Sequence, residues 1–186
     1  MKFKEIKKVH QGKFITRYDV EYESVSGRGK TYEMISRNPD IDSLEKLNGG
    51  QADAVVMILH DKSGEKILLS REFRMATGEW VYNFPAGLID RGEEPSDAAL
   101  RELREETGLH LDRIDEIWFE SYSAVGFSNE KNVVVTGEAS GEICPSDSEM
   151  EEIEARWYTK AEIKALLKEN HFAARTQAYC VLWSRS

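Results

Sequence analysis

Between Gly87 and Leu109 the chain reads GLIDRGEEPSDAALRELREETGL, a stretch that crowds acidic side chains onto the opening turns of a helix. Pro95 suits the first helical position, where a missing N–H is harmless, and Gly108 suits the residue just past the helix end. At about 100° per residue, PSDAALRELREETG puts Leu100, Leu103 and Thr107 on one side, towards a core. Glu102, Glu105 and Glu106 then spread over the other side. Like charges at i,i+4, such as Glu102 and Glu106, cost roughly a few tenths of a kcal/mol in an isolated helix. Two explanations stand open. Either Arg101 and Arg104 neutralise the glutamates on a solvated face, or the carboxylates are hard oxygen ligands that recover the cost by binding Mg2+ or Mn2+.

The remaining pattern bounds the fold. A chain of 186 residues with 40% hydrophobic and 32% charged residues is globular, with the size of one domain and a small appendage. Residues 1 to 46 carry strand-like alternation in KFITRYDVEYESV and KTYEMISR, divided by the turn signal SGRGK. That predicts a small antiparallel sheet with too little core to stand alone. From residue 47 to 186 a larger domain follows, with strands in ADAVVMILHD, ILLSREFR and WVYNFPAG before the acidic helix. Further strands read as IDEIWFESYS, KNVVVTGEA and IEARWYT, and helices as KAEIKALLKEN and FAARTQAYCVLWS. Strands around one central helix, with helices at the end, predict a mixed α/β (α+β) sandwich.

Charge and cysteine usage exclude several partners. A net charge of −9 argues against nucleic acid as a bulk polyanionic partner, although a divalent cation can still draw a small anionic substrate. No stretch approaches the roughly 20 apolar residues of a membrane span, and MKFKEIKKVH lacks the apolar run of a signal peptide. Cys144 and Cys180 stand far apart without a second pair, so neither a disulfide framework nor a zinc knuckle is indicated, and a reducing cytoplasm is the natural setting.

The spacing within the acidic stretch separates the two explanations. Gly87, five residues, Glu93, seven residues and then RELREETGL, from Arg101 to Leu109, resembles the signature of the Nudix hydrolase family at every defining position. With each fixed residue at about 5–7% usage, a chance match has a probability on the order of 10⁻⁹ per start position. The resemblance implies a Nudix-type α/β/α sandwich and metal-dependent hydrolysis of a nucleoside diphosphate linked to another group. Carried over residue by residue, it makes Glu102 and Glu106 metal ligands, with the backbone carbonyl of Ala86 a further candidate. Glu105 and Glu106 belong to the catalytic set, Glu105 supporting the ligands or a second metal. It makes Arg101 the residue that holds the glutamates and Glu93 its structural partner, with Gly87 and Gly108 shaping the backbone.

A weaker resemblance, from about residue 12 onward, is to the ADP-ribose and ADP-sugar pyrophosphatase branch of that family. It rests on the N-terminal strands, on ILLSREFR leading to FPAGLID, and on the acidic SEMEE before the last strand. The branch implies a homodimer formed through the N-terminal sheet and a nucleotide-sugar substrate. It assigns Arg74 to a substrate phosphate, where the bland alternative is a surface arginine on an edge strand. Phe14 reads as a core aromatic, or by resemblance as a stack for adenine across the dimer. Glu149 falls where the branch places a catalytic glutamate and Glu151 where it places another metal ligand, with Glu130 in the substrate loop as the next candidate base. One departure weakens the substrate assignment. Val125 stands where the branch commonly has proline, which keeps another nucleotide sugar, such as a GDP-hexose, in play, and a non-catalytic nucleotide sensor is the rival of a different class.

Overall fold

The structure is a computed structural model that describes residues 1–146 and 152–186. The chain begins with strands β1 (Lys2–Gln11), β2 (Thr16–Glu23) and β3 (Gly29–Ser36) and the short helix α1 (Leu44–Asn48). Strands β4 (Ala54–His60), β5 (Lys66–Arg74), β6 (Glu79–Asn83) and β7 (Ala86–Leu88) lead into helix α2 (Pro95–Thr107). Then come β8 (His110–Ile117), β9 (Ser121–Tyr122), β10 (Lys131–Ser140) and β11 (Ile153–Thr159), followed by helices α3 (Lys160–Leu166) and α4 (Ala174–Trp183). The backbone divides into two compact units, residues 1–53 with 120–132, and residues 54–119 with 133–186.

In the first unit β1, β2 and β3 form an antiparallel sheet in that order. Strand β1 escapes a sequence reading because its two inward side chains, Phe3 and Ile6, are three residues apart. A register shift between Phe3 and Glu5 restores them to one face, as a bulge does. The sheet has its own buried cluster of Tyr18, Val20, Met34, Ile41 and Leu47, more core than its sequence promised. Tyr18 is buried without cost to its hydroxyl, which donates to the Asn38 carbonyl at 2.9 Å and accepts from the Ile41 N–H at 3.2 Å. Residues 120–132 complete this unit: the Ile35 N–H donates to the Phe127 carbonyl at 2.8 Å, and Tyr32 Oη donates to the Gly126 carbonyl. Phe14 corrects the core expectation, since it sits 71% exposed in the β1–β2 turn.

The second unit is the sandwich. Its strands run β11-β5-β4-β10-β8, with β6 added on β5 and β7 on β4. Strands β4 and β5 share the pair His60 with Ile67 next to their turn; β5 goes on to pair with β6 and β11, and β4 with β7. Residues of β4 serve two faces. Val55, Met57 and Leu59 bury against Ala98, Ala99 and Leu103 of α2, while Val56 belongs with Ile163 of α3 and Cys180 of α4. The run WVYNFPAG is two strands, broken at Phe84 and Pro85, where proline has no N–H to give a ladder.

Helix α2 starts at Pro95 and ends on Gly108, whose φ of 74° is the left-handed cap and whose N–H reaches the Arg104 carbonyl. Its buried face is Ala98, Ala99, Leu103 and Thr107, and Leu100, expected inward, is 46% exposed. The two alanines let the helix lie close to the sheet, which rotates the buried face away from Leu100 and brings Glu102 and Glu106 to half-buried positions beside it. Cys144 and Cys180 are free thiols, and burial pushes the Cys180 thiol up to about 12. Among the described residues no helix is long and apolar enough to cross a membrane.

Candidate active site

Strand β7, the loop that follows it and α2 bring the glutamates under the control of one arginine. Arg101 lies two turns beyond the loop and reaches back over it. Its Nε donates to Glu93 Oε1 at 2.9 Å and its Nη2 to Glu93 Oε2 at 2.8 Å, a two-pronged pairing. Nη2 also donates to the Leu88 carbonyl at 2.9 Å. Nη1 donates to Glu102 Oε1 at 2.7 Å and, more weakly, to Glu105 Oε2 at 3.4 Å. A guanidinium has five N–H groups, and these five contacts use them all. The electrostatic consequences match. Hydrogen bonds from Arg101, then from the Asp90 N–H, hold the Glu93 carboxyl down at about 2, and Glu93 first, then Glu102, raises the pKa of Arg101.

Gly87 is required by contact. A Cβ there would stand 1.9 Å from Glu102 Cδ and 2.2 Å from Glu102 Oε2, so the carboxylate packs directly on the strand backbone. Only 15% of the Glu102 side chain is exposed, against 55% for Glu105. Glu106 follows one turn after Glu102, half-buried. Among the described residues no group of three His, Cys, Asp or Glu side chains stands at the spacing that would hold a metal. The arginine neutralises Glu93, Glu102 and Glu105, as the solvated-face explanation expects, and in doing so it fixes them.

Three further sequence candidates lie on other elements of the described residues. Arg74 ends β5 with a side chain 56% exposed and its Nε 3.3 Å from Glu72 Oε1. Glu130 belongs to the first unit, where it accepts from Arg37 Nε at 2.7 Å and Ser123 Oγ at 2.9 Å. Phe14, also in the first unit, has Lys13 Nζ 4.9 Å from its ring centroid. Glu149 and Glu151 lie outside the described residues. Sequence reasoning missed the Leu88 carbonyl, which carries no side-chain signature, and Glu72, Asn83 and Thr176. Of those three only Asn83 had a visible mark, a polar residue inside the apolar run WVYNF; Glu72 and Thr176 stand beside other polar residues, in SREFR and ARTQ, and nothing in the sequence sets them apart.

Comparison with known proteins bears on the stretch directly. A family model described as the NUDIX domain matches residues 50–179. The chain belongs to the Nudix family. Among curated Nudix relatives, the mouse (Mus musculus) protein named ADP-sugar pyrophosphatase is 36% identical over 106 residues, covering 54% of this chain and 44% of its own. ADP-ribose pyrophosphatase of Bacillus subtilis (strain 168) is 28% identical, over 66% of this chain and 57% of its own. ADP compounds hydrolase NudE of Escherichia coli (strain K12) is 26% identical, over 82% of this chain and 74% of its own. The Nudix chain thus spans about half the length of the first two. The crystal structure of an ADP compounds hydrolase shares the fold, with a TM-score of 0.74 at 21% identity over 100% of this chain and 93% of that one.

Proposed function

We propose that this Nudix chain hydrolyses the pyrophosphate bond of a nucleoside diphosphate sugar, converting ADP-ribose to AMP and ribose 5-phosphate. The observation that carries the reading is the saturated Arg101 fork, which fixes Glu102 and Glu105 on a helix whose Glu106 follows a turn later. The printed names of relatives, ADP-sugar pyrophosphatase and ADP-ribose pyrophosphatase, support the substrate class.

The donor set fits Mg2+ or Mn2+, because every candidate ligand is a hard oxygen: Glu102, Glu106, Glu151 and the Ala86 carbonyl. The close seat of the Glu102 carboxylate on Gly87 fits a ligand that must not wander. A bound divalent cation would neutralise charge on the pyrophosphate during attack by water. The chain's own residues do the rest. Arg101 orients Glu102; Arg74 offers a guanidinium to a phosphate; Glu149 takes the proton of the attacking water, with Glu130 the next choice. Assembly is a homodimer through the first sheet, where the exposed Phe14 stacks on adenine bound by the partner. Neither nucleic acid nor membrane is a partner, and the free thiols suit a cytoplasmic setting.

A panel of nucleotide sugars, incubated with Mg2+ and resolved by chromatography, tests the substrate. AMP and ribose 5-phosphate from ADP-ribose is the expected result; efficient cleavage of a GDP-sugar with ADP-ribose untouched overturns it. Glu106→Gln keeps size and removes charge, so turnover should fall by roughly 10³ or more with the melting profile intact. Near-normal turnover would exclude Glu106 as a ligand.

A further inference from the structure

A buried polar chain in the second unit runs from α4 to Arg74. Thr176, fully buried on α4, donates from Oγ1 to Asn83 Oδ1 at 2.9 Å and accepts from the Phe84 N–H at 3.2 Å. The same Phe84 N–H also donates to Asn83 Oδ1 at 3.0 Å. With its carbonyl oxygen turned to these donors, the Asn83 amide must direct its NH₂ the other way. There Nδ2 donates to Glu72 Oε1 at 3.0 Å, and that oxygen is the one 3.3 Å from Arg74 Nε. Glu72 and Arg74 are two residues apart on β5 and so share a face.

Two features separate this chain from ordinary packing. The Glu72 side chain is only 13% exposed, and a carboxylate so withdrawn from water is costly unless donors surround it. The ion pair also uses Nε of Arg74, which leaves the terminal nitrogens of a half-exposed guanidinium as a flat two-donor edge for an anion. Asn83 in addition ties down the Phe84 N–H, two residues before Ala86, so one amide steadies both the arginine and the approach to the glycine on which Glu102 rests.

We propose that Glu72, held by Asn83 and Thr176, is a positioning residue that presents the Arg74 guanidinium to a phosphate of the substrate. This rests on the reading of Arg74 as a phosphate contact. The sign of the effect distinguishes it from simple electrostatics. Removing a negative charge beside an anion site strengthens anion binding by Coulomb's law alone, whereas loss of positioning weakens it.

The test uses the full chain with Glu72→Gln, Arg74→Ala, the double variant and Thr176→Val. Glutamine keeps the oxygen that accepts from Asn83, so the fold is preserved while the ion pair is lost. Three quantities are measured: the Kd for ADP-ribose by metal-free calorimetry, kcat and KM with Mg2+, and the melting temperature. Arg74→Ala should weaken ADP-ribose binding about tenfold or more, and Glu72→Gln about three- to tenfold, with kcat within about twofold of wild type. Thr176→Val should shift Kd in the same direction by less. In the Arg74→Ala background Glu72→Gln should add nothing further, the mark of residues acting as one unit. Unchanged or tighter binding for Glu72→Gln overturns the proposal, as does an equal loss in both backgrounds. If Arg74→Ala leaves Kd unchanged, the phosphate role of Arg74 fails and the proposal with it. If these binding effects appear but ADP-ribose is not cleaved, the proposed hydrolysis fails and the positioning role stands.

Discussion

Arg101 donates from every N–H it has, to Glu93, Glu102, Glu105 and the Leu88 carbonyl. A lysine keeps the charge but brings three donors on one nitrogen, without the planar fork that spans Glu93. Arg101→Lys should therefore lower stability by about 1–3 kcal/mol by thermal melting, and lower kcat because Glu102 is no longer oriented. A variant with wild-type melting and turnover would show the fork to be dispensable. The same pairing makes a pH prediction. The Glu93 carboxyl is lowered from 4.5 to about 2 by Arg101 and the Asp90 N–H, so its stabilisation is complete above about 4.5 and disappears as pH falls through about 2. Acid titration should show this loss between those values in wild type, and a smaller one in Arg101→Lys. Equal acid profiles would remove Glu93 from the account.

Among the elements, α2 was the most legible, because capping and spacing both act locally: Pro95 and Gly108 bound it where the sequence says. Its inward face differs from the expected one at one position: Leu100 is the larger apolar side chain, but the sheet accepts Ala98 and Ala99. Strands β1 and β8 were missed or shifted for a shared reason. Each buries apolar residues three apart, Phe3 with Ile6 and Leu111 with Ile114, and only pairing irregularities reconcile that with a period of two. Of the site, the pairing of Arg101 with Glu93 and Glu102 was legible in the spacing of the signature, but the backbone partner at Leu88 and the chain through Asn83 exist only once strands are adjacent. The loop at Val125 carries a prediction. The Ala124 carbonyl accepts from the Phe127 and Ser128 N–H groups, so Val125 occupies the second position of a turn, a place that favours proline. Val125→Pro should keep the melting temperature or raise stability by about 0.4–1 kcal/mol, and sharpen preference for ADP-ribose over other nucleotide sugars. A destabilised variant would mean that the turn cannot take proline.

For the whole molecule, the two compact units change how assembly should be tested. Deleting residues 1–46 would strip the partners of residues 120–132, among them Ile35 and Arg37, so a failed truncation would say nothing about dimers. Sedimentation of the intact chain is the cleaner measurement. A dimer is the expected species, and a monomer at micromolar concentration would remove the homodimer through the first sheet from the proposal. The discontinuous make-up of the first unit also sets an order of events during synthesis. Residues 1–53 are made before residues 120–132, and the unit cannot close until residue 132 exists, 79 residues after residue 53. At about 5–20 residues per second that is a wait of roughly 4–16 seconds. Throughout it the nascent sheet lacks the segment that Ile35, Tyr32 and Arg37 will bind, and its unfinished edge is open to chaperones or to a neighbouring chain.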